Sequence, residues 1–510
     1  MSEPDEPRTA EQAPEELPGA DAHESGATPG STPILPGFHP DPSICRVGDE
    51  YYLVTSTFEY FPGVPIFSST DLVTWTQLGN VLDRESQLSL GPGAGGIFAP
   101  TLRHHDGRFW MITTQIDRIG DGHLIVSAPS PTGPWSDPVF TTGTIGIDPD
   151  LAWDDDGTCY LTWTRIGPNG SEITQTRVDP VTGELRSAPK PLWNGTGLAH
   201  PEGPHLIRRG DWWYLLIAEG GTERGHAVSI ARSRSIEGPF EGCPANPILS
   251  HRSTAHPVQN TGHSDLVERA DGTWAMVYLG VRPRGISPLF HVNGRETFLA
   301  GVDWVDDWPV VDETRFDVPI ASTDFSDRFD APALGPRWIS AEGPATFVER
   351  TGAAGAALAP AHQRPGFVGI RVEDHEWEAD LAVTAGDVAL VVRLDEGHTV
   401  SVATSGGRVR AGARIGGIDI PLADAARAAG KVVLGIRAVA GPAGLGVRSG
   451  PDVLRLGIVE AGVFTELASI DGRYTSTEVA GGFTGRVVGL TPGTAGGAVS
   501  SFEYRRAGGA

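Results

Sequence analysis

The chain has 510 residues, with 64 acidic side chains against 39 basic ones, and its formal net charge is −25. Because such a charge repels polyanions, the composition excludes a nucleic acid or an anionic membrane surface as an expected partner. Apolar residues make up 39% of the chain, which is enough to bury a sizeable core in two to four domains of ordinary size.

The three cysteines, Cys45, Cys159 and Cys243, stand far apart and form no Cys-x-x-Cys pair. This pattern predicts neither a disulfide scaffold nor a structural zinc site, and it suits a reducing compartment. The first residues lack a basic region followed by an apolar run, and no stretch approaches the roughly 18 apolar residues of a membrane helix. We therefore expect a soluble, cytoplasmic protein.

Residues 1–32 contain eight carboxylates, one arginine and many proline, alanine and glycine residues. So few apolar side chains cannot offset the conformational entropy of the chain. We expect a disordered acidic tail here.

From Pro33 onward, short apolar and aromatic runs alternate with turn residues, a pattern typical of an all-β protein. A turn followed by an aromatic strand recurs five times. Its second turn residue lies at positions 49, 107, 157, 211 and 272, at spacings of 58, 50, 54 and 61 residues. Two hairpins in each repeat make a four-stranded sheet, so the repeat predicts a five-bladed β-propeller.

The repeat ends after Trp308, and Pro319 to Thr323 has the composition of a linker. The residues beyond it form alternating strands rich in alanine, valine and glycine, typical of a β-sandwich. We assign the propeller to residues 33–318 and a concanavalin-like β-sandwich to residues 324–508.

Three acidic residues precede aromatic repeats at corresponding places in the blades. They are Asp41 in Gly37-Phe38-His39-Pro40-Asp41-Pro42-Ser43, Asp148 in Gly146-Ile147-Asp148-Pro149-Asp150-Leu151, and Glu202 in His200-Pro201-Glu202-Gly203-Pro204-His205. Any one of them fits a turn acceptor. Because the innermost strands of a propeller surround its axis, all three together predict one central acidic pocket.

Hydrolysis of a glycoside with inversion needs a carboxylate that activates water and a protonated carboxyl that protonates the leaving oxygen. A third acid nearby can raise the pKa of the proton donor through repulsion between like charges. The acidic pocket therefore suits this reaction.

The sequence resembles glycoside hydrolase family 43, the β-xylosidase and α-L-arabinofuranosidase group. The residues that carry the resemblance are Pro33 to Ile44, Ser56 to Gly63, Pro201 to His205, and Gly294-Arg295-Glu296-Thr297-Phe298. The resemblance spans residues 33 to about 310 and continues more weakly to Tyr504. It implies a five-bladed propeller with an appended β-sandwich and an inverting exo-glycosidase.

By this resemblance, Asp41 is the general base, Glu202 the general acid and Asp148 the residue that adjusts the pKa of the acid. Arg295 would contact sugar hydroxyls. Four aromatic residues would wall or close the sugar pocket: Phe58, Trp75, Phe98 and Phe483. Phe98 stands where the family usually has tryptophan. Packing within a blade is the alternative for Phe58 and Trp75, and packing at the linker for Phe483.

The resemblance also places His263 at the propeller axis, where the matching histidine can ligate calcium or a water cluster. A hydrogen-bonded core histidine is the alternative, because calcium prefers oxygen ligands. No cofactor is implied for the chemistry itself.

The expected function is release of terminal xylose, and of α-L-arabinofuranose at the same site, from xylo-oligosaccharides or arabinoxylan fragments. An arabinanase, a β-fructosidase or a sugar-binding propeller without catalysis are the alternatives. The chain contains neither the Arg-Asp-Pro nor the Glu-Cys sequence of fructosidases. A small oligosaccharide is the expected partner, and assembly into a homo-oligomer is compatible with the sequence.

Overall fold

The fold is taken from a computed structural model. It describes residues 28–508 apart from 169, 351–354, 361–365, 428–429 and 443–448. The prediction of a disordered tail thus falls mostly on residues outside the described part of the chain.

The first half of the chain forms five four-stranded antiparallel sheets, each built from strands consecutive in sequence, which confirms the five-bladed propeller. The strands of blade 1 are Ser43–Val47, Glu50–Val54, Gly63–Ser69 and Thr76–Leu82. Those of blade 2 are Thr101–His105, Arg108–Thr113, Leu124–Ala128 and Val139–Phe140. Those of blade 3 are Gly146–Trp153, Cys159–Gly167, Gly170–Arg177 and Lys190–Pro191.

Two further blades complete the propeller. The strands of blade 4 are Glu202–Arg209, Trp212–Glu219, Ala227–Ser233 and Glu241–Gly242. Those of blade 5 are Gln259–Glu268, Trp274–Val281, Glu296–Val305 and Trp308–Asp312.

Each recurring turn of the sequence joins the first and second strands of a blade. Gly107 in blade 2 and Gly157 in blade 3 adopt positive φ angles of 72° and 82°, which glycine accepts without steric cost. In blade 3 the strand after the turn, Cys159–Gly167, ends in three exposed residues. In the other four blades this strand is almost entirely buried, because blades pack face to face and leave little solvent on either side. This explains why these strands are continuously apolar or aromatic rather than alternating.

The second half of the chain forms one continuous antiparallel network of short and long strands. Its short strands are Phe325–Asp327, Ile339–Ala341, Val348–Arg350, Ala356–Leu358 and Val368–Arg371. Its longer strands are Trp377–Asp395, His398–Ser405, Arg408–Ile415, Ile418–Ala426, Val432–Val439, Val453–Glu460, Val463–Asp471 and Val487–Arg506.

This network folds over a single apolar core, as a β-sandwich does. The strands Trp377–Asp395 and Val487–Arg506 pair along most of their length, with register shifts near Val383 and Val388. Such irregularities bend a strand and change which residues face inward. Leu381 before the bend and Leu390 after it consequently enter the same core.

The two halves are joined by more than the linker. The propeller strand Tyr60–Phe61 pairs with Ile339–Ala341 of the sandwich, with Ser340 opposite Phe61. The segment between the last two strands of the sandwich contains a 3₁₀ turn, Gly472–Thr475, and a one-turn helix, Thr477–Ala480. Together with the 3₁₀ helix Ile116–Asp121, these are the helices of the described residues, and none could cross a bilayer.

Candidate active site

The innermost strands of blades 1, 3 and 4 bring the three predicted acids to one place. Asp41 lies two residues before its strand, Asp148 lies within its strand, and Glu202 begins its strand. The two later strands carry register shifts at these acids, and the backbones of Asp41 and Asp148 have φ angles of 55° and 53°. Bulges and left-handed residues of this kind commonly re-aim side chains at functional sites.

Asp41 is held as a carboxylate. Its Oδ2 accepts a hydrogen bond from the Ser56 hydroxyl at 2.6 Å, and its Oδ1 lies 3.2 Å from Arg295 Nη1 and 3.6 Å from His263 Nδ1. Burial alone opposes ionisation, but Arg295, then His263 and Ser56, outweigh it and lower the pKa of Asp41 below its ordinary value. A buried, ionised carboxylate is suited to accept a proton from water.

Glu202 is held as an acid. Burial, followed by the negative charge of Asp41, raises its pKa to about 7 against the opposing effect of Arg295. His226 Nδ1 lies 3.0 Å from the carbonyl of Asn260, so that nitrogen carries the ring proton and Nε2 presents a lone pair. His226 Nε2 stands 3.8 Å from Glu202 Oε1, and an imidazole lone pair there favours the protonated carboxyl.

Asp148 is coupled to Glu202. Burial, then repulsion from Glu202 and Asp41, raises the pKa of Asp148 well above its usual value. The Gly203 amide donates a hydrogen bond to Asp148 Oδ2 at 3.1 Å, which favours the ionised form of this group. The pair thus holds a proton near neutral pH. The hydrogen bond from Gly203 to Asp148, together with the His226 lone pair near Glu202, favours placing that proton on Glu202.

Asp148→Asn is expected to move the alkaline limb of the pH–rate profile to lower pH by about one unit. The substitution removes the like charge that helps keep the proton on Glu202, so that proton is lost at lower pH. The acidic limb, which reports protonation of Asp41, should move much less. A profile of kcat/KM between pH 4 and 9 tests this, and an unmoved alkaline limb would contradict the role of Asp148.

Arg295 connects the acids to an aromatic wall. Its Nη1 also donates to Thr222 Oγ1 at 2.9 Å, and its guanidinium lies 5.5 Å from the Phe58 ring and 5.4 Å from the Phe483 ring. Phe58, Phe98 and Phe483 form a triangle with ring centroids 5.4 to 5.6 Å apart. Phe58 is buried and supports the wall, whereas Phe483 is 42% exposed and can offer a ring face to a sugar.

Phe483 belongs to the sandwich. Hydrogen bonds between His291 of the propeller and Glu478 of the sandwich hold the loop of Phe483 against the propeller. Glu478 accepts hydrogen bonds from the His291 backbone amide at 3.0 Å and from its ring Nδ1 at 2.6 Å. Beyond Phe483, Gly485 packs so closely on Asn293 that an added Cβ would lie 2.2 Å from the Asn293 carbonyl oxygen. The second domain therefore contributes one wall of the pocket.

Glu478→Ala is expected to raise KM for small glycosides about tenfold, with a smaller change in kcat. Losing charge-assisted hydrogen bonds frees the loop that carries Phe483, while the three acids keep their places. The matched control is Glu466→Ala, which removes an exposed carboxylate paired with Arg455 in the same domain. If Glu478 acts by positioning Phe483, the double variant with Phe483→Ala should raise KM little more than Glu478→Ala alone. Full additivity of the two effects would show that Glu478 does not position Phe483.

Trp75 does not join this pocket. Its indole Nε1 donates to the Leu72 carbonyl at 2.8 Å, and its ring packs on an apolar cluster that includes Ile34 and Leu35. It lines a separate cavity of about 470 Å³ that none of the three acids lines. The prediction of a sugar contact is not supported, because the start of the last strand in blade 1 lies away from the axis.

A polar hub lies next to the acids along the propeller axis, with one residue from the inner strand of each blade. Arg103 Nη2 lies 2.8 Å from Asp150 and 3.0 Å from His205 Nδ1, and Arg103 Nη1 lies 2.7 Å from Asp265. The Ser43 hydroxyl donates to Asp265 at 2.9 Å. Three hub residues follow the acids by two or three positions along the chain, Ser43 after Asp41, Asp150 after Asp148 and His205 after Glu202, which places the hub beside the pocket.

His263 lies between the hub and the acids. Its ring centroid is 6.4 Å from that of His205, and its Nδ1 faces Asp41. Burial, although opposed by the charge of Asp41, lowers the pKa of His263 to about 4. The histidine is therefore neutral at the axis near pH 7.

Several residues that shape the site are not among those predicted from the sequence. Ser56, Thr222 and His226 belong to no repeated motif, and each reaches the acids or Arg295 through contacts between distant segments. For His226 a weak signal exists in Gly262, where an added Cβ would lie 2.3 Å from the imidazole.

Comparison with known proteins gives a consistent result. A family model described as glycosyl hydrolases family 43 matches residues 31–309. A xylosidase/arabinosidase of Butyrivibrio fibrisolvens is 48% identical over 57% of this chain, and the match covers 59% of that relative's length. A non-reducing end α-L-arabinofuranosidase of Bacteroides ovatus is 37% identical over 90% of each chain.

A solved structure extends the likeness to both domains. The xylan β-1,4-xylosidase of Bacillus halodurans superposes with a TM-score of 0.82 at 29% identity, covering 93% of this chain and 99% of that one. With the pocket of three acids and the five-bladed propeller, these matches show that the chain belongs to glycoside hydrolase family 43.

Proposed function

We propose that this chain is an inverting exo-glycosidase that releases terminal xylose, and α-L-arabinofuranose at the same site, from xylo-oligosaccharides or arabinoxylan fragments. The observation that carries the proposal is that two acids in the pocket, Asp41 and Glu202, have different protonation states at the same pH. The pKa of Asp41 is lowered, whereas burial and the charge of Asp41 raise that of Glu202 to about 7. One group is then a base and the other an acid at the same pH.

The reaction follows from these states. The Asp41 carboxylate takes a proton from a water molecule as the water oxygen bonds to the anomeric carbon. On the opposite face, the bond from that carbon to the glycosidic oxygen breaks, and Glu202 gives its proton to the leaving oxygen. A single displacement of this kind inverts the anomeric configuration.

Arg295 and the aromatic wall support recognition of a single terminal sugar. Arg295 has five N–H donors. Its Nη1 donates to Thr222 and Asp41, and its Nη2 donates to the Phe483 carbonyl at 3.5 Å, so two N–H groups remain to bind sugar hydroxyls. The loop that carries Phe483 closes one side of the pocket. A pocket closed on one side favours chain ends over internal bonds, which supports an exo mode of action.

No cofactor is required for this chemistry, and we infer that the polar residues around His263 at the axis do not form a calcium site. Calcium prefers several oxygen ligands. The axial carboxylates of Asp150 and Asp265 are already bound to Arg103, and His263 offers a nitrogen. This donor set does not fit calcium, so no step depends on one.

Nitrophenyl glycosides test the proposal directly. We expect turnover of the β-D-xyloside and the α-L-arabinofuranoside, with little on the β-D-galactoside or the β-D-fructoside analogue. Proton NMR during hydrolysis of a xylobioside should show α-xylose as the first product. First appearance of β-xylose would overturn inversion, and random cleavage within linear arabinan would overturn the exo mode.

Asp41→Asn serves as the inactive control for these assays, because it removes the water-activating base while keeping the shape of the side chain.

A further inference from the structure

A second cluster of polar side chains lies outside the pocket, where blade 5 begins and ends. His251 and His256 belong to the connection between Glu241–Gly242 and Gln259–Glu268, and Glu313 directly follows the last strand of blade 5. One donor atom from each residue lies within 4.8 Å of the other two. The glycosidase reaction uses none of these groups.

The backbone of Val258 contacts both imidazoles. The Val258 carbonyl lies 2.8 Å from His251 Nδ1 and 3.2 Å from His256 Nδ1. A carbonyl only accepts, so a ring that bonds it carries its proton on Nδ1 and presents a lone pair at Nε2. The Val258 amide also lies 3.2 Å from His256 Nδ1, so His256 can adopt either tautomer.

The carboxylate is oriented as well. The Tyr278 hydroxyl donates to Glu313 Oε1 at 2.7 Å, and Glu313 Oε2 faces His251 Nε2 at 2.9 Å. Two lone-pair atoms at that distance repel unless a positive species lies between them, either a proton or a metal ion. Ligands whose other atoms are fixed by a backbone carbonyl or a hydroxyl are typical of metal sites.

We propose that His251, His256 and Glu313 form a binding site for a divalent transition-metal ion of the zinc class. Two imidazoles and one carboxylate suit Zn²⁺, Co²⁺, Ni²⁺ or Cu²⁺, whereas calcium and magnesium prefer oxygen ligands alone. The four residues between the histidines fall within the spacing common in zinc sites. Ligand atoms on tetrahedral zinc stand about 3.4 Å apart. His251 Nε2 and Glu313 Oε2, at 2.9 Å, would therefore open slightly to admit the ion, whereas the wider separations, up to 4.8 Å, would close by about 1 Å.

The site lies between segments that are distant in sequence. An added Cβ at Gly30 would stand 3.0 Å from the Glu313 Cβ, and the Pro29 carbonyl is 3.4 Å from His256 Nε2. His256 also lines a cavity of about 990 Å³ that Arg295 and Phe483 share. A bound ion would tie the entry of blade 5 to its exit, beside the opening of the pocket.

Metal binding by the full-length protein, prepared without a histidine tag and treated with a chelator, tests this proposal. Isothermal titration should show one Zn²⁺ bound per chain, and Co²⁺ should give the intense visible absorption of a four-coordinate site. Saturating Zn²⁺ should raise Tm by about 4 °C, because it binds the folded state. These readouts are independent of glycosidase activity.

His256→Gln and Glu313→Gln should each abolish stoichiometric binding and the Tm shift. His256 and Glu313 are only partly buried, so these variants are better placed to fold than a change at buried His251. The matched control, His398→Gln, removes a histidine that pairs with Asp395 in the sandwich, and it should bind Zn²⁺ like the wild type. Absence of one-to-one binding by the wild type would show that a proton alone bridges His251 and Glu313. Equal binding by Glu313→Gln would show that the ion is held by other residues, which also overturns the proposal.

Discussion

Glu202→Gln is expected to lower kcat/KM on xylobiose and xylotriose by about 10²–10⁴-fold, because it removes the proton donor to the leaving oxygen. The loss should be much smaller on nitrophenyl xyloside, whose leaving group departs without protonation. The ratio between the two substrates is the measurement, since it separates loss of the acid from general damage to the site. The raised pKa of Glu202, to about 7 by burial and then the charge of Asp41, is the structural basis for this expectation.

Two further variants serve as controls for that result, one expected to be inactive and one expected to be unaffected. Asp41→Asn should abolish turnover of both substrates, because water activation is needed whatever the leaving group. Glu223→Gln alters an exposed carboxylate that lines the neighbouring cavity and should change neither rate by more than a few fold. Equal losses on natural and activated substrates for Glu202→Gln would remove Glu202 from the acid role.

Arg103→Met is expected to destabilise the protein by about 3–5 kcal/mol. The guanidinium is 15% exposed, while the Asp150 and Asp265 side chains that it binds are fully buried. Without Arg103, both carboxylates remain in the interior without their cation, and His205 loses a donor. Because the hub includes one residue from each blade, the loss should lower the stability of the whole propeller.

Urea unfolding followed by tryptophan fluorescence measures this change. The matched control is Arg186→Met, which also removes an arginine that binds two carboxylates, Asp179 and Glu184, but at the surface. Exposed ion pairs contribute about 0–1 kcal/mol, so the control should stay close to the wild type. Similar losses for both variants would show that the hub does not hold the blades together.

Much of the fold could be predicted from the sequence, because the propeller repeats a local pattern. A turn followed by an aromatic strand needs only neighbouring residues, and five such turns imply five blades. The same periodicity placed Asp41, Asp148 and Glu202 at corresponding positions, so their meeting near the axis follows from the symmetry of the blades.

The identity of the pocket walls needed the tertiary structure. Trp75 and Phe58 are both aromatic residues of the first blade, yet Phe58 contacts Phe98 and Phe483 whereas Trp75 packs beside Ile34. The direction of a side chain at the end of a strand depends on the neighbouring blade, which local sequence does not specify.

The sequence by itself determined the number of blades, the three acids and their chemical types. The tertiary structure alone decided their proton states, because those depend on burial and on charges from distant segments. Arg295 lies 254 residues from Asp41, and Arg103 lies 162 residues from Asp265. Such pairs form only when the blades close around the axis, where desolvation and charge together make Asp41 a base and Glu202 an acid.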